Sequence, residues 1–314
     1  MITEHERKPI LLTGANGQVG FELARSLQGL GHLVALDRGG LDLSDSEQIR
    51  RIVRELSPAL IVNAAAYTAV DAAENDVAAA MRLNAEAPDI LAQEAKRLGA
   101  LLVHYSTDYV FDGTKDDPYE EDDAANPLNV YGKSKLAGEQ AIAASGCAHL
   151  ILRTSWVYGA RGKNFLRTML QLGAQREELS VVADQIGAPT WSRTIATLTS
   201  NVLAQLLVQD RDEWLRCSGI YHLTASGATS WCGFAQAIFD TSTLATKPVI
   251  KAIPTVAYSS LTTVGLTTAG FPAAAVRPKN SRLSNQKLFA TFGLTAPDWR
   301  EALELCMADG SLDP

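Results

Sequence analysis

The sequence has few cysteines and no recognisable metal-binding pattern. Its four cysteines, spread over 314 residues, form no C-x-x-C pair, and its five histidines form no H-E-x-x-H set. Neither a disulfide framework nor a zinc site is therefore expected, and thiols this sparse are typical of a reducing compartment. No apolar run approaches the roughly 18 residues of a membrane span, and the polar N-terminus lacks the apolar core of a signal peptide. We expect a cytoplasmic protein with no membrane partner.

Positive charge is also scarce. Lysine and arginine total 28 against 35 aspartates and glutamates, which gives a net charge of −7. Because nucleic-acid affinity rests largely on Lys and Arg contacts with phosphates, no nucleic-acid partner is expected. A small anionic ligand stays compatible with this charge, since a few local donors can hold one phosphate group. Hydrophobic residues make up 46% of the chain, which excludes a disordered protein.

Short apolar runs alternate with amphipathic stretches through the first half of the chain. This alternation predicts an α/β fold, a Rossmann-like doubly wound parallel sheet with helices on both faces. Ser44, with Glu47 three residues later, predicts a capping box at the start of the second helix. After Trp156 the pattern loosens, and residues 241–278 are expected to be mostly irregular.

These patterns predict two domains. A nucleotide-binding domain would take residues 1–160 with parts of 190–225. A smaller C-terminal α/β substrate-binding domain would take the remaining parts of 161–314.

Three glycines follow the first predicted strand. Gly14, Gly17 and Gly20 are spaced G-x-x-G-x-x-G, which differs from the common G-x-G-x-x-G fingerprint. The mechanics are the same, because glycines between a strand and a helix let the backbone approach a pyrophosphate at the helix N-terminus. The turn therefore predicts a dinucleotide site.

The second predicted strand ends next to residues of opposite charge. Asp37 lies 20 residues after Gly17, where a carboxylate can hydrogen-bond a ribose 2′-OH and favour NADH. Arg38 follows, and its guanidinium suits the 2′-phosphate of NADPH. The sequence leaves both cofactors open. Asp42 and Leu43, a few residues after Arg38, are predicted to lie along the adenine ring of the cofactor.

A tyrosine and a lysine one helical turn apart are the main catalytic candidates. Tyr131 and Lys135 share a helix face at i and i+4. A tyrosine has an ordinary pKa of about 10, and a nearby ammonium lowers it toward a useful range. Ser106 and Thr107 end a predicted strand, where the ligand crevice of a parallel sheet lies, so a hydroxyl there can hold a substrate carbonyl.

Four motifs stand in order along the first half: T-G-x-x-G-x-x-G at 13–20, N-A-A-A at 63–66, S-T at 106–107 and Y-x-x-x-K at 131–135. Together they resemble the extended short-chain dehydrogenase/reductase family. Further stretches are similar to the nucleotide-sugar reductases of that family and extend through most of the chain, at 104–113, 127–139, 153–158, 184–190 and 277–283. The resemblance implies that NADPH or NADH reduces the C4 ketone of dTDP-4-dehydro-L-rhamnose, giving dTDP-L-rhamnose.

The resemblance also implies a role for each matching residue. Thr107 would bind the sugar carbonyl, Tyr131 would protonate it, and Lys135 would hold the ribose and tune the tyrosine. The implied cofactor-binding residues are Gly14, Asn16, Gly17, Gln18, Val19, Asp37, Arg38, Asp42, Leu43, Ala64, Ala65, Ala66, Tyr67, Thr68, Tyr105, Tyr131 and Lys135. The implied substrate-binding residues are Thr107, Asp108, Trp156, Asn164 and Arg277.

Some members of this family use Mg²⁺ and form a metal-linked dimer through acidic residues. Glu22 lies at one such position, but Trp191, Ser192 and Arg193 stand where a further acid would be expected. No metal site is predicted beyond Glu22, and the sequence leaves open both a Mg²⁺ requirement and a homodimer.

Two other functions compete with the reductase. A nucleotide-sugar 4,6-dehydratase would carry a glutamate after the Thr-Asp pair, where this chain has Tyr109, and an epimerase would consume no cofactor. The non-catalytic regulatory subunits of methionine adenosyltransferase also resemble these reductases, and copurification with a synthetase subunit would favour that role.

Overall fold

The computed structural model describes residues 8–260 and 275–309. The strands in chain order are β1 (Ile10–Thr13), β2 (Leu33–Leu36), β3 (Leu60–Asn63), β4 (Leu101–Thr107), β5 (Ala148–Thr154), β6 (Val157–Tyr158), β7 (Glu178–Val182), β8 (Ile186–Gly187), β9 (Thr190–Trp191), β10 (Gly219–His222), β11 (Thr229–Ser230) and β12 (Val249–Ile253). The helices are α1 (Gln18–Ser26), α2 (Ser46–Leu56), α3 (Val70–Ala73), α4 (Val77–Met81), α5 (Ala87–Leu98), α6 (Val130–Ser145), α7 (Phe165–Gly173), α8 (Ser192–Leu206), α9 (Arg211–Arg216), α10 (Trp231–Thr241), α11 (Thr255–Ser260), α12 (Gln286–Phe292) and α13 (Trp299–Ala308).

The main sheet has six parallel strands in the order β10-β5-β4-β3-β1-β2. Successive side chains alternate between its two faces. In β1, for example, Ile10 and Leu12 pack with α1 and α8, whereas Leu11 packs with α2 and α5. Both faces are covered by helices, so the predicted Rossmann-like doubly wound fold is confirmed.

The strand order reverses at β1, which has β2 on one side and β3 on the other. In such sheets ligands bind outside the carboxyl ends of the strands at this switch point. Thr13 ends β1 and Asn63 ends β3, and the two residues are paired in register. The fold thus places the glycine turn and the segment after Asn63 at the same edge of the sheet.

The second half of the chain contributes to this sheet and also forms a separate apolar cluster. β10 is an edge strand of the sheet, and α8 packs on α1 through the Ser26 hydroxyl, which donates to the Ala196 carbonyl. The second cluster is built from α7, α10, α13 and the strands near them. The division into two domains with the predicted bounds stays a prediction.

Two local predictions are wrong. Asp45, not Ser44, caps α2, because its carboxylate accepts the N–H groups of Glu47 and Gln48 while the Ser44 hydroxyl is drawn back to Asp42. Residues 241–278 are less irregular than expected, since they contain β12 and α11, and residues 261–274 of that stretch lie outside the described part.

No helix in the described residues is long and apolar enough to cross a bilayer.

Candidate active site

The glycine turn between β1 and α1 is tightly packed. Gly14 has a φ of +70°, and a Cβ there would lie 2.7 Å from the backbone nitrogen of Ala65. A Cβ on Gly20 would overlap the carbonyl oxygen of Gly14. Gly17 is the N-cap residue of α1 and supplies no side-chain acceptor to its first N–H groups. This backbone fits the pyrophosphate of a dinucleotide, because small residues and free helix N–H groups form the cradle.

Other residues predicted to bind the cofactor surround this turn. Asn16 is exposed, Val19 is half-buried against the core, and Gln18 accepts a hydrogen bond from Asn164 at 2.9 Å. Leu43 is buried under α2, so its side chain lies in the core on that face of the sheet.

The two residues predicted to choose the cofactor lie just after β2. The Asp37 carboxylate accepts hydrogen bonds from the Asn16 side chain at 2.8 Å and from the backbone N–H of Gly39 at 2.9 Å. The Arg38 side chain is 85% exposed and meets Asp42 at 3.7 Å. Hydrogen bonds from Ser44 lower the pKa of Asp42. The loop after β2 thus places the Asp37 carboxylate and the exposed Arg38 side chain next to each other, where either can meet the adenosine end of a cofactor.

The segment after β3 is fixed by a residue that the sequence did not single out. Ala64, Ala65, Ala66 and Tyr67 are half-buried and Thr68 is exposed. Asn84 holds both backbone groups of Tyr67, since its Oδ1 accepts from the N–H at 2.8 Å and its Nδ2 donates to the carbonyl at 3.0 Å. Asn84 lies in a single π-helical turn, Arg82–Glu86, and such turns often mark functional sites.

A row of buried polar side chains crosses the sheet and ends on Lys135. Thr13, Asn63 and His104 occupy matched register positions on β1, β3 and β4. The Thr13 hydroxyl donates to Asn63 Oδ1 at 2.6 Å, and Asn63 Nδ2 lies 3.0 Å from His104 Nδ1. The Lys135 amine lies 2.9 Å from His104 Nε2 and donates to the Tyr105 carbonyl at 2.6 Å. Sequence reasoning missed His104 as a partner of Lys135 and Asn63 as a partner of His104, although both are polar residues in apolar strands.

Thr107 and Tyr131 meet at the carboxyl end of β4. Burial raises the pKa of Tyr131 to about 12, and a hydrogen bond with the Thr107 hydroxyl opposes that rise. The Tyr109 ring packs edge-on against the Tyr131 ring, 5.6 Å between centroids. The Lys135 amine is turned toward His104 and the Tyr105 carbonyl, and its lowering of the Tyr131 pKa stays a prediction. A phenol with this pKa keeps its proton at neutral pH and can act as an acid.

Asp108 follows Thr107 and is almost fully buried. Its Oδ1 accepts the Thr107 hydroxyl at 3.0 Å, and Ser281 also hydrogen-bonds the carboxylate. Its Oδ2 is buried without a hydrogen-bond partner among the described residues. Burial raises the pKa of Asp108 to about 6. A buried acceptor beside the candidate catalytic pair fits a ligand hydroxyl.

Trp156 follows β5 at a sharp bend. Its φ is 47°, in the left-handed region, and its indole stacks on Trp231 with 3.6 Å between ring centroids. Trp231 was not singled out from the sequence, because it lies 75 residues further along the chain.

The two other predicted substrate residues are held by contacts within the chain. Asn164 caps α7 by accepting the Arg167 N–H at 3.1 Å, and its Nδ2 donates to the Gly159 carbonyl at 2.8 Å. Arg277 donates to Asp71 at 2.7 Å and lowers the pKa of Tyr109, which burial raises. The structure therefore brings Arg277 close to Tyr109, whose ring packs on Tyr131, and places Asn164 beside the glycine turn. Their contacts with substrate stay predictions.

The surroundings of Glu22 do not fit a divalent cation. The Arg193 guanidinium lies 3.1 Å from the Glu22 carboxylate and 2.7 Å from that of Asp309. Within residues 8–260 and 275–309, no group of three or more His, Cys, Asp or Glu side chains could hold a metal ion. Mg²⁺ prefers a shell of oxygen ligands, and here a side-chain cation already faces the carboxylate. A homodimer stays a prediction.

Comparison with known proteins gives consistent matches along nearly the whole chain. A family model described as the RmlD substrate binding domain matches residues 7–311. The dTDP-4-dehydrorhamnose reductase of Burkholderia thailandensis is 53% identical over 300 residues, which cover 96% of this chain and 98% of that protein. The dTDP-4-dehydrorhamnose reductase of Escherichia coli K12 is 44% identical and covers 93% and 94% of the two chains. A crystal structure of the Bacillus anthracis dTDP-4-dehydrorhamnose reductase in complex with NADP matches with a TM-score of 0.85 at 34% identity, over 96% of this chain and 99% of that one.

Proposed function

This chain belongs to the dTDP-4-dehydrorhamnose reductase family, and from that premise we propose that it reduces the C4 ketone of dTDP-4-dehydro-L-rhamnose to give dTDP-L-rhamnose. The reductant is NADPH or NADH. The observation that carries the proposal is the position of Thr107 at the carboxyl end of β4 beside Tyr131, which lies one helical turn from Lys135 on α6. A hydroxyl and a protonated phenol side by side suit a carbonyl oxygen that becomes an alkoxide.

The glycine turn and the segment after β3 form the cofactor site. Gly17 and the N-terminus of α1 hold the pyrophosphate, and Asp37 and Arg38 meet the adenosine ribose. When bound, the reduced nicotinamide supplies hydride to the carbonyl carbon. The largely exposed Arg38 guanidinium supports use of NADPH, since it can form charge-assisted hydrogen bonds with a 2′-phosphate.

The protein supplies the proton. Tyr131 holds its proton far above neutral pH and gives it from Oη to the C4 oxygen. The ketone carbon thus gains a hydrogen, the oxygen becomes a hydroxyl, and Tyr131 must regain one proton before the next cycle. The Thr107 hydroxyl, whose one hydrogen is donated to Asp108 in the structure, turns to the same oxygen and stabilises charge that develops there.

Three further residues form the substrate site. The free Oδ2 of Asp108 accepts a sugar hydroxyl, and the Trp156 ring borders the sugar. Arg277, beside Tyr109, binds the diphosphate as a guanidinium that can exchange its Asp71 contact for phosphate oxygens.

The test is oxidation of NADPH and of NADH at 340 nm by purified protein with dTDP-4-dehydro-L-rhamnose. We expect one cofactor oxidised per sugar and dTDP-L-rhamnose as the product. Conversion of a nucleotide sugar without net oxidation would point to an epimerase. Cofactor binding without any conversion would favour, first, a different keto sugar as the substrate. It would favour, second, a non-catalytic role like that of the regulatory subunit of methionine adenosyltransferase.

A further inference from the structure

One buried titratable side chain, His104, touches the Lys135 amine, and the reaction described above does not use it. The two side chains and that of Asn63 are each 1% exposed, so none of them can satisfy its polar atoms with solvent. A neutral imidazole donates from one ring nitrogen and accepts at the other. The tautomer of His104 therefore decides whether Lys135 meets an N–H or a lone pair.

The Asn63 amide fixes that tautomer. Its Oδ1 accepts from the backbone N–H of Ala65 at 3.3 Å, a group that can only donate, and also from the Thr13 hydroxyl. These two donors identify which atom of the Asn63 amide is the oxygen. The amide nitrogen, Nδ2, therefore faces His104 and donates to its Nδ1. A neutral ring that accepts at Nδ1 carries its proton on Nε2, the atom facing Lys135. Burial holds the pKa of His104 well below its ordinary value, so the ring is neutral.

We propose that His104, oriented by Asn63, is a positioning residue that aims its Nε2–H at the Lys135 amine and so favours the neutral amine over the ammonium. A neutral amine accepts this N–H through its lone pair and still donates to the Tyr105 carbonyl. An ammonium has no lone pair and would oppose the N–H with its own hydrogens. The catalytic consequence rests on the proposed function, whereas the tautomer can be measured on the chain alone.

The charged groups around Lys135 do not prevent this preference for the neutral amine. Glu139 on α6 stabilises the ammonium, but it is paired with Arg153 of β5 at 2.6 Å. Asp108, which follows β4, is a further buried acid, and its carboxylate accepts the Thr107 hydroxyl. Burial lowers the pKa of Lys135 to about 8 despite Glu139.

A lysine that titrates near neutral pH can exchange a proton within each catalytic cycle. Tyr131 loses a proton in every turnover and lies one helical turn from Lys135. A lysine with the ordinary pKa of about 10.4 would release its proton far less readily. His104 and Asn63 would thus lower the pKa of Lys135, which lies one helical turn from the catalytic Tyr131.

The first test needs no substitution. Nitrogen-15 chemical shifts of the His104 ring in the wild-type chain, recorded from about pH 6 to 9, report the protonation of each ring nitrogen. We expect a neutral ring with the proton on Nε2 across this range. A proton on Nδ1, or a charged imidazolium, would overturn the proposal.

The second test follows Lys135 itself, in chains with lysine carbon-13 labelled at Cε and the resonance identified by Lys135→Met. In His104→Gln the amide can turn its oxygen to the amine, and in Asn63→Ala the ring can adopt the other tautomer. We expect the titration midpoint of Lys135 to rise by about one pH unit in both variants. His149→Gln, which alters a buried histidine bonded to the Cys147 carbonyl, should leave it unchanged.

An unchanged Lys135 midpoint in a folded His104→Gln or Asn63→Ala chain would refute the inference. If neither variant folds, the wild-type tautomer still decides. The pH profile of cofactor oxidation in His104→Gln should shift in the same direction as the lysine titration. A wild-type chain that shows the expected tautomer but no reductase activity would count against the proposed function and not against this contact.

Discussion

Trp156 and Trp231 stack with their ring centroids 3.6 Å apart and their planes within 11° of parallel. Trp156 has a φ of 47°, a backbone conformation that costs a bulky residue roughly 1–3 kcal/mol. A Cβ at Gly187 would lie 2.6 Å from Cε2 of Trp156, so the indole is held on that side as well. Trp231 therefore orients the ring assigned to the sugar.

Trp231→Leu should raise the KM for the nucleotide sugar by about tenfold and leave the KM for NADPH unchanged. An aromatic pair contributes about 0.5–1.5 kcal/mol, and about 1.4 kcal/mol corresponds to a tenfold change in affinity. Trp231→Phe should retain most of the affinity. Trp214→Phe is the matched control, because Trp214 lies in α9 and donates to the Leu206 carbonyl. Equal sugar KM values in Trp231→Leu and wild type would exclude this role.

The buried carboxyl of Asp108 makes stability depend on pH. Its folded pKa is about 6 against an ordinary 3.8, so the folded state holds the proton more tightly than the unfolded chain. Stability from this group is complete below about pH 4 and is lost as the pH rises through 6, a difference of about 3 kcal/mol. The free energy of unfolding, measured in urea, should be higher for Asp108→Asn than for wild type at pH 8 and similar for the two at pH 4. Its KM for the sugar should rise.

Asp112 provides the contrasting control. Hydrogen bonds from Asn126, Thr114 and Tyr119 lower the pKa of its carboxyl. The stability that this carboxylate adds is present above pH 4 and is lost only as the pH falls below that value. Asp112→Asn should therefore be less stable than wild type by a constant amount from pH 5 to 8. If Asp108→Asn showed the same flat difference, the pKa of Asp108 would not be raised.

Removal of the Tyr131 hydroxyl tests the proton donor. Tyr131→Phe should lower turnover by about 10²–10⁴, because no other acid replaces Oη at the C4 oxygen. Binding of NADPH, followed by fluorescence, should change little, since the ring and Lys135 remain. Because the pKa of Tyr131 is about 12, loss of its proton should not limit the wild-type rate below about pH 10. Near-normal turnover in the variant would remove Tyr131 from its assigned role.

Local chemistry explains why much of the site could be predicted from the sequence. The glycine turn needs only the spacing of Gly14, Gly17 and Gly20 after an apolar run. Tyr131 and Lys135 are one helical turn apart, so their shared face follows from helix geometry. Strand ends at a parallel sheet lie along one edge, and this brings Thr107 to the same place.

The missing parts depend on register between distant segments. His104 meets Asn63 because β3 and β4 pair at that position, which no local pattern encodes. β12 was not predicted because most of its side chains are exposed and it lacks a buried apolar run, while its partner β7 supplies the hydrogen bonds. Trp231 stacks on Trp156 only once α10 packs beside the bend after β5.

Arg38 should decide between the two nicotinamide cofactors. Its side chain is 85% exposed and its guanidinium meets Asp42 at 3.7 Å, so little must be broken when it turns to a phosphate. Arg38→Ala should raise the KM for NADPH by about 10–100-fold and leave the KM for NADH unchanged, since a hydrogen bond to a charged group contributes about 1.5–3 kcal/mol. Steady-state oxidation of both cofactors at 340 nm gives the two values. Arg51→Ala, on the exposed face of α2 beside Glu55, is the control and should alter neither. If Arg38→Ala raised both KM values alike, the guanidinium would serve general binding, and the choice of cofactor would rest with Asp37.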